Sequence, residues 1–237
     1  LVAWVQTDVK KLVAYSSVSH LGFCVLGMLA LNTYGIEGSV LYMINHGLST
    51  GAMFLAIGMI YDRYHTRDIN KLSGLARRMP ILAFFFVLFT FASIGLPGLN
   101  GFVSEFLTIL GAFTSPYLGI WYGGFAALGI ILGAVYMLHM VASIIFGPLK
   151  TPEAHDHGHD APGDIGAREI AILVPLAIAV IWLGVYPSGV LRSMNDAVSQ
   201  IEQPVMTASI SPLSPIAKGS TFTEPSKIAI AQVALKP

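Results

Sequence analysis

Residues 80–105 read Pro-Ile-Leu-Ala-Phe-Phe-Phe-Val-Leu-Phe-Thr-Phe-Ala-Ser-Ile-Gly-Leu-Pro-Gly-Leu-Asn-Gly-Phe-Val-Ser-Glu. No Asp, Glu, Lys or Arg occurs from 79 to 104, a run of 26 residues against the roughly 20 a helix needs to cross a bilayer. Within that run, Pro97 lacks a backbone N–H, and Gly95, Gly98 and Gly101 hold a helix poorly. The pattern predicts a membrane helix broken at Gly95-Leu-Pro97-Gly98-Leu-Asn-Gly101 and ending on an acid, Glu105. Interrupted membrane helices leave free carbonyl and N–H groups inside the bilayer, where ion and proton sites are built.

Similar charge-free runs flank it: 12–36 (25 residues), 38–61 (24), 106–149 (44) and 170–191 (22). The 44-residue run is too long for one helix and is divided by a turn at Ser115-Pro116. These runs predict an all-α, polytopic membrane bundle of five spans, about 12–31, 38–61, 80–113 (discontinuous), 118–146 and 169–187. Composition agrees, with 54% hydrophobic residues, 11% charged residues and a mean hydropathy of +0.70 in 237 residues. Zero formal net charge leaves no basic field for nucleic acid. A single cysteine, Cys24, excludes a disulfide scaffold.

Loop charge sets the orientation. Lys10, Lys11, Arg63, Arg67, Lys71, Arg77, Arg78, Lys150 and Arg168, nine of the 13 basic residues, fall on one side. The positive-inside rule makes that side cytoplasmic, which puts the C-terminal tail outside. The divisions that follow are a membrane domain 1–147, a polar cytoplasmic loop 148–168, a last membrane helix 169–187, an interfacial amphipathic helix 188–203 and a disordered or extended tail 204–237. Val190, Leu191, Met194, Val198 and Ile201 carry the amphipathic pattern. In the loop, His155, His157 and His159 alternate with Asp156 and Asp160 as a weak zinc or nickel candidate, because ligands on a mobile loop lack the outer contacts that fix a metal site. Leu1–Val5, apolar and without a leading Met, reads as the end of an earlier helix, so a fragment of a larger membrane protein, or a chain whose upstream half is a separate product, is expected.

The ionisable side chains within the spans are His20, His46, Glu105 and His139. An acid there faces protein or water and is a functional candidate. The plain alternative for Glu105 is a structural salt bridge or a place near the outer headgroups, since on an unbroken helix it would sit some 39 Å from Met79. Tyr42, His46, Ser49, Thr50 and Met53 share a helical face. Histidine can exchange a proton near neutral pH, so His46 is either a relay or a hydrogen-bonded bridge between helices. Gly47 and Gly51 form a small-xxx-small pair suited to close helix contact. His20 with Ser16 and Ser19, and His139 with Tyr136 and Ser143, make two further polar stripes expected to line a common interior. No phosphate-binding loop, haem ligand pair or cysteine cluster is present, so no cofactor is expected in this chain.

Four motifs in order carry a resemblance: Gln6-Thr-Asp-Val-Lys-Lys-Leu-Val-Ala-Tyr-Ser-Ser-Val-Ser-His20-Leu-Gly22, then Ile44-Asn-His46-Gly-Leu-Ser, then Tyr64-His-Thr-Arg-Asp-Ile-Asn-Lys-Leu-Ser-Gly-Leu-Ala-Arg-Arg-Met-Pro80, then Gly95-Leu-Pro-Gly-Leu-Asn-Gly-Phe-Val-Ser-Glu105-Phe. Arg168-Glu169 and Gly184-Val-Tyr-Pro187 extend it, so about the first 190 residues are covered. The sequence resembles the antiporter-like, proton-translocating subunits of respiratory complex I, in the chain M (chain 4) group.

That resemblance implies two inverted five-helix repeats, each with one broken helix, of which this chain carries the second less most of its first helix, plus the helix that follows. It implies that Glu105 is the terminal acid of the outward proton path, that His46 lies on the hydrated axis joining the half-channels, and that His20 lies close to that axis. Asp8 and Lys10 match a motif at the cytoplasmic helix boundary. Other membrane subunits of complex I would be partners, with NADH, FMN, iron–sulfur clusters and quinone handled there, and the location would be the inner (cytoplasmic) membrane. Two departures stand out: the first repeat's essential glutamate and two lysines have no counterpart here, and the usual Gln-Arg pair of the fourth span is Ala142-Ser143. His139 maps to no family role. The same fold serves subunits of multisubunit sodium/proton antiporters and membrane-bound hydrogenases, and a non-conducting scaffold is a third reading.

Overall fold

The computed structural model describes residues 1–150 and 163–210, with side chains through residue 201. Among these residues the regular elements are helices, and the only β-pairing is two isolated bridges, Asp8 with Asp68 and Ser73 with Lys150. The order is α1 (Val9–Leu29), α2 (Thr33–Tyr64), α3 (Pro80–Ser93), α4 (Asn100–Thr114), α5 (Ile120–Ile144), α6 (Ala167–Val185) and α7 (Ser188–Ile210). Residues 1–202 form one compact unit. The histidine run at His155, His157 and His159 and the tail beyond 210 lie outside the described residues.

Four helices, α1, α2, α5 and α6, are individually long and apolar enough to cross a membrane. The fifth expected span is divided: α3 has 14 residues and α4 has 15, each about 22 Å long and too short alone for a hydrocarbon core near 30 Å. The helix stops at Ser93 and resumes at Asn100. The amphipathic helix α7 runs to Ile210 rather than to 203.

Local chemistry explains the ends. Asp8 caps α1 by accepting from the Lys10 and Lys11 amides (2.8 and 3.1 Å), and the Val9 amide is bound by the Arg67 carbonyl (2.9 Å). Asn32 caps α2 through the Gly35 amide (2.8 Å), while its own amide group donates to the Gly111 carbonyl (2.8 Å) and Thr114 (3.2 Å). One residue therefore starts α2 and fixes the end of α4. Helix α3 begins at Pro80 with no cap of its own; the Asp164 carboxylate supplies one from the far loop, accepting from the Ile81 and Leu82 amides (2.7 and 3.2 Å). Beside it, Arg63 at the end of α2 donates to both carboxylate oxygens of Glu169 (2.7 and 2.6 Å) and to the Gly163 and Asp164 carbonyls.

Helix α2 is the hub and packs on α1, α3, α4 and α6. With little hydrophobic drive between helices in lipid, close backbone approach and dispersion hold such contacts. Here the approach is made by Gly27, Gly35, Gly38 and Gly111: a Cβ on Gly38 would sit 2.6 Å from the Thr108 amide nitrogen, and one on Gly111 would collide with the Gly35 backbone. The pair expected to do this, Gly47 and Gly51, instead lies on an exposed face with nothing within 4 Å of an added Cβ. Spacing finds small-residue pairs, but which pair meets a neighbour depends on how the helix is rotated.

Candidate functional site

Glu105 lies in α4 and is 4% exposed. Its carboxylate is packed against Gly95, so closely that a Cβ at Gly95 would collide with Oε2. On a continuous helix these residues would be about 15 Å apart, so the 94–99 interruption brings the acid back to the level of the break. The helix that would have carried Glu105 about 39 Å from Met79 is therefore not continuous. Gly95 has φ +75°, a left-handed conformation natural to glycine. Gly101, in the first turn of α4, approaches the Ala92 carbonyl so tightly that no side chain fits, and α6 closes the far side at Gly184, where a Cβ would strike the Leu99 backbone.

Gly95→Ala and Gly98→Ala separate two effects. Both positions have positive φ, but only Gly95 faces Glu105, whereas nothing lies within 4 Å of a Cβ at Gly98. Each should lose about 1–2 kcal/mol from backbone strain. Gly95→Ala should lose more stability than Gly98→Ala in a thermal melt and should also displace the acid; equal melts would remove the contact from the account.

Glu105 forms no salt bridge among the described residues. Tyr42 Oη donates to its Oε1 at 3.0 Å, and the same hydroxyl lies 2.6 Å from His20 Nδ1. All three residues are buried. With Glu105 ionised and the tyrosine hydrogen directed to it, the Tyr42 oxygen accepts from His20 Nδ1, the tautomer that leaves Nε2 free of hydrogen. Nε2 is buried without a partner. A proton arriving at Nε2 can therefore be matched by the Nδ1 hydrogen moving to Tyr42 and the Tyr42 hydrogen moving to Glu105. Each group ends neutral, and one proton has crossed from α1 to α4.

His46 is half-buried, with Nδ1 3.1 Å from Thr50 Oγ1. Its ring centroid is 5.3 Å from that of His20 and 6.3 Å from that of Tyr42. Below it, Asn45 donates to the Asn100 carbonyl (2.7 Å) and to Ser104 Oγ (3.1 Å), and Asn100 donates back to the Asn45 carbonyl (3.2 Å). A cavity of about 10 Å³ opens between Tyr42, Asn45, His46, Ser49, Ser93 and Ser104, the space of a single water with polar partners on several sides. Asn45 and Asn100 were not among the expected residues. Asn45 falls one position from His46 on the buried side of α2, which periodicity could have flagged; Asn100 carried no signal beyond its place in the break.

The remaining sequence candidates separate. Tyr136 is buried, whereas His139 is exposed and lines, with Ser143, Gln6, Thr7 and Asn70, a different cavity of about 280 Å³. The expected common interior thus splits between two places, because Tyr136 turns toward α1 and His139 away from it. Asp8 is a helix cap, and Lys10 sits with Arg67 and Tyr61 at the mouth of a groove along α2. Neither reaches the chain of His20, Tyr42 and Glu105. Among the described residues no three His, Cys, Asp or Glu side chains are placed to hold a metal.

The profile of the NADH:quinone oxidoreductase/Mrp antiporter transmembrane family matches residues 1–130. The chain belongs to that family. Among its relatives, NADH-quinone oxidoreductase subunit M of Rhodobacter capsulatus is 43% identical over 203 residues, covering 86% of this chain and 38% of the relative. A chain of respiratory complex I from Thermus thermophilus superposes with TM-score 0.72 at 30% identity, covering 85% of this chain and 41% of that one. A chain of the Mrp complex from Dietzia sp. DQ12-45-1b gives TM-score 0.74 at 23% identity, covering 87% and 45%, which is a likeness of fold. This family member spans about two fifths of the length of the curated relatives it matches.

Proposed function

We propose that this chain is the part of a proton-translocating membrane subunit of an NADH:quinone oxidoreductase that delivers protons outward, while quinone reduction and its cofactors reside in other subunits. The observation that carries the reading is the buried chain from His20 through Tyr42 to Glu105 beside a broken helix. The depth supports it: His20 is eleven residues into α1 and Tyr42 nine into α2, about 17 and 14 Å from the starts of helices long enough to cross a 30 Å core. The relatives named as subunit M favour this reading over a sodium/proton antiporter, for which the likeness is one of fold. The inner membrane as location, the tail on the outer side and the inverted-repeat ancestry belong to the same proposal.

In role terms, His46 takes a proton from the cytoplasmic side or the central axis and passes it to His20, whose ring centroid is 5.3 Å from its own, and Glu105 holds it before outward release. Against about 150 mV the step requires roughly 3.5 kcal/mol, within reach of a change in hydration at residues 94–99 and the neighbouring cavity. His46→Ala in the assembled complex tests this. Proton transport should drop sharply relative to electron transfer, and unchanged transport with normal assembly would reduce His46 to packing. Transport that follows a sodium gradient without quinone reduction would favour the antiporter.

A further inference from the structure

Helix α4 starts with little of its own to hold it. The span is interrupted at residues 94–99, and Leu99, at the N-cap of α4, offers no side-chain bond to the amides of the first turn. Its register comes instead from α2. The two helices meet along an antiparallel seam whose successive contacts are Gly35 with Gly111, Gly38 with Thr108, Tyr42 with Glu105, and Asn45 with Ser104 and Asn100. Glycine contacts set how closely the backbones approach, whereas hydrogen bonds also fix direction. At the Asn45 end each asparagine donates its amide to the backbone carbonyl of the other: Asn45 Nδ2 to the Asn100 oxygen at 2.7 Å, and Asn100 Nδ2 to the Asn45 oxygen at 3.2 Å. Asn45 adds a bond to Ser104 Oγ at 3.1 Å. All three residues are buried. Ser104 immediately precedes Glu105, and Asn45 is three residues from Tyr42 on α2. A slip of α4 by one residue, about 1.5 Å along the axis and about 100° around it, would break this clasp and carry Glu105 off the face that meets Tyr42.

We propose that Asn45 and Asn100 are positioning residues for the proton relay, locking the start of α4 to α2 in the register that holds the Glu105 carboxylate on Tyr42. This rests on the reading of Glu105 as the terminal acid. Neither amide takes up or gives up a proton in the working range, so both act through the 3.0 Å bond between Tyr42 and Glu105 rather than as stations on the path. Reciprocity suits the task. A bond in one direction lets a helix pivot about its acceptor, while two crossed bonds and a third to Ser104 oppose both sliding and rotation.

The test uses the assembled complex in sealed vesicles, with NADH oxidation by a soluble acceptor reporting assembly. Two quantities are read: the ratio of protons moved to electrons transferred, and the infrared band of the Glu105 carboxyl group, identified as the one missing from Glu105→Gln. Asn45→Leu keeps the approximate shape and removes the amide. It should lower the ratio several-fold and shift the band toward the position it takes in Tyr42→Phe, where the bond to Glu105 is absent. Asn45→Gln, which retains an amide, should recover part of both. A normal ratio in Asn45→Leu would overturn the proposal, and so would a lowered ratio with the band unmoved, the signature of packing alone. Should Asn45→Leu fail to assemble, Ser104→Ala decides: it removes one bond of the clasp and should shift the band less but in the same direction, and an unmoved band there would overturn the proposal. Glu105→Gln separates the two levels. If it still pumps, the terminal-acid reading fails while the band continues to report on the clasp; if it is dead while Asn45→Leu pumps normally, only the clasp fails.

Discussion

Replacing Glu105 by glutamine should abolish proton pumping by the assembled complex while leaving reduction of a soluble electron acceptor intact. Glutamine preserves volume and keeps an oxygen that can accept from Tyr42, so the 3.0 Å bond and the contact with Gly95 survive. What disappears is the only group at the end of the chain that can hold a proton and release it. No Lys or Arg pairs with Glu105 among the described residues, so the variant strands no opposite charge and the fold should persist with little change in melting temperature. The measurement is acidification by vesicles oxidising NADH, set against the acceptor rate. Undiminished pumping would refute the role given to Glu105.

Tyr42→Phe is expected to have the second-largest effect, and for a different reason. The hydroxyl links α1 to α4 at this level, bonded to His20 at 2.6 Å and to Glu105 at 3.0 Å. Phenylalanine retains the ring, which packs on Phe23 with centroids 5.9 Å apart, but leaves two buried polar groups unpaired. Leaving one such group unsatisfied costs about 1–3 kcal/mol, so a lower melting temperature should accompany loss of transport. Pumping at the normal ratio despite the lower stability would show that protons bypass Tyr42 and would confine the tyrosine to structure.

The interruption at Gly95-Leu-Pro97-Gly98 and the acid that follows were legible because both are rare in apolar sequence. His20 and His46 were legible for the same reason. The bond between Tyr42 and Glu105 was not, since it joins positions 63 apart and periodicity gives a residue's face but not its partner across another helix. Tyr42 was visible only as one member of a stripe. The polar residues of α5 failed in the opposite direction: shared spacing suggested one lining, yet a three-residue step turns a side chain by about 60°, enough to send Tyr136 inward and His139 to a separate cavity. Helix packing failed likewise, with Gly47 and Gly51 as good a pair on paper as Gly35 and Gly38. The Asp164 cap on α3 joins positions 83 and 82 apart, beyond the reach of any local pattern.

The two halves of the broken span are anchored to different things. Helix α4 is pressed on α2 at Gly35, Gly38 and Gly111 and tied by Asn32 and Asn45, while the start of α3 hangs from Asp164, beside the Arg63–Glu169 pair. Interlocked backbones resist sliding, so α4 behaves as a fixed wall. The two halves are joined through residues 94–99, six positions that include two glycines at positive φ. Helix α3 is packed besides on α2, α5 and α6, so a shift of the Asp164 loop would be carried by these contacts along α3 to Gly95, the residue that lies against the acid.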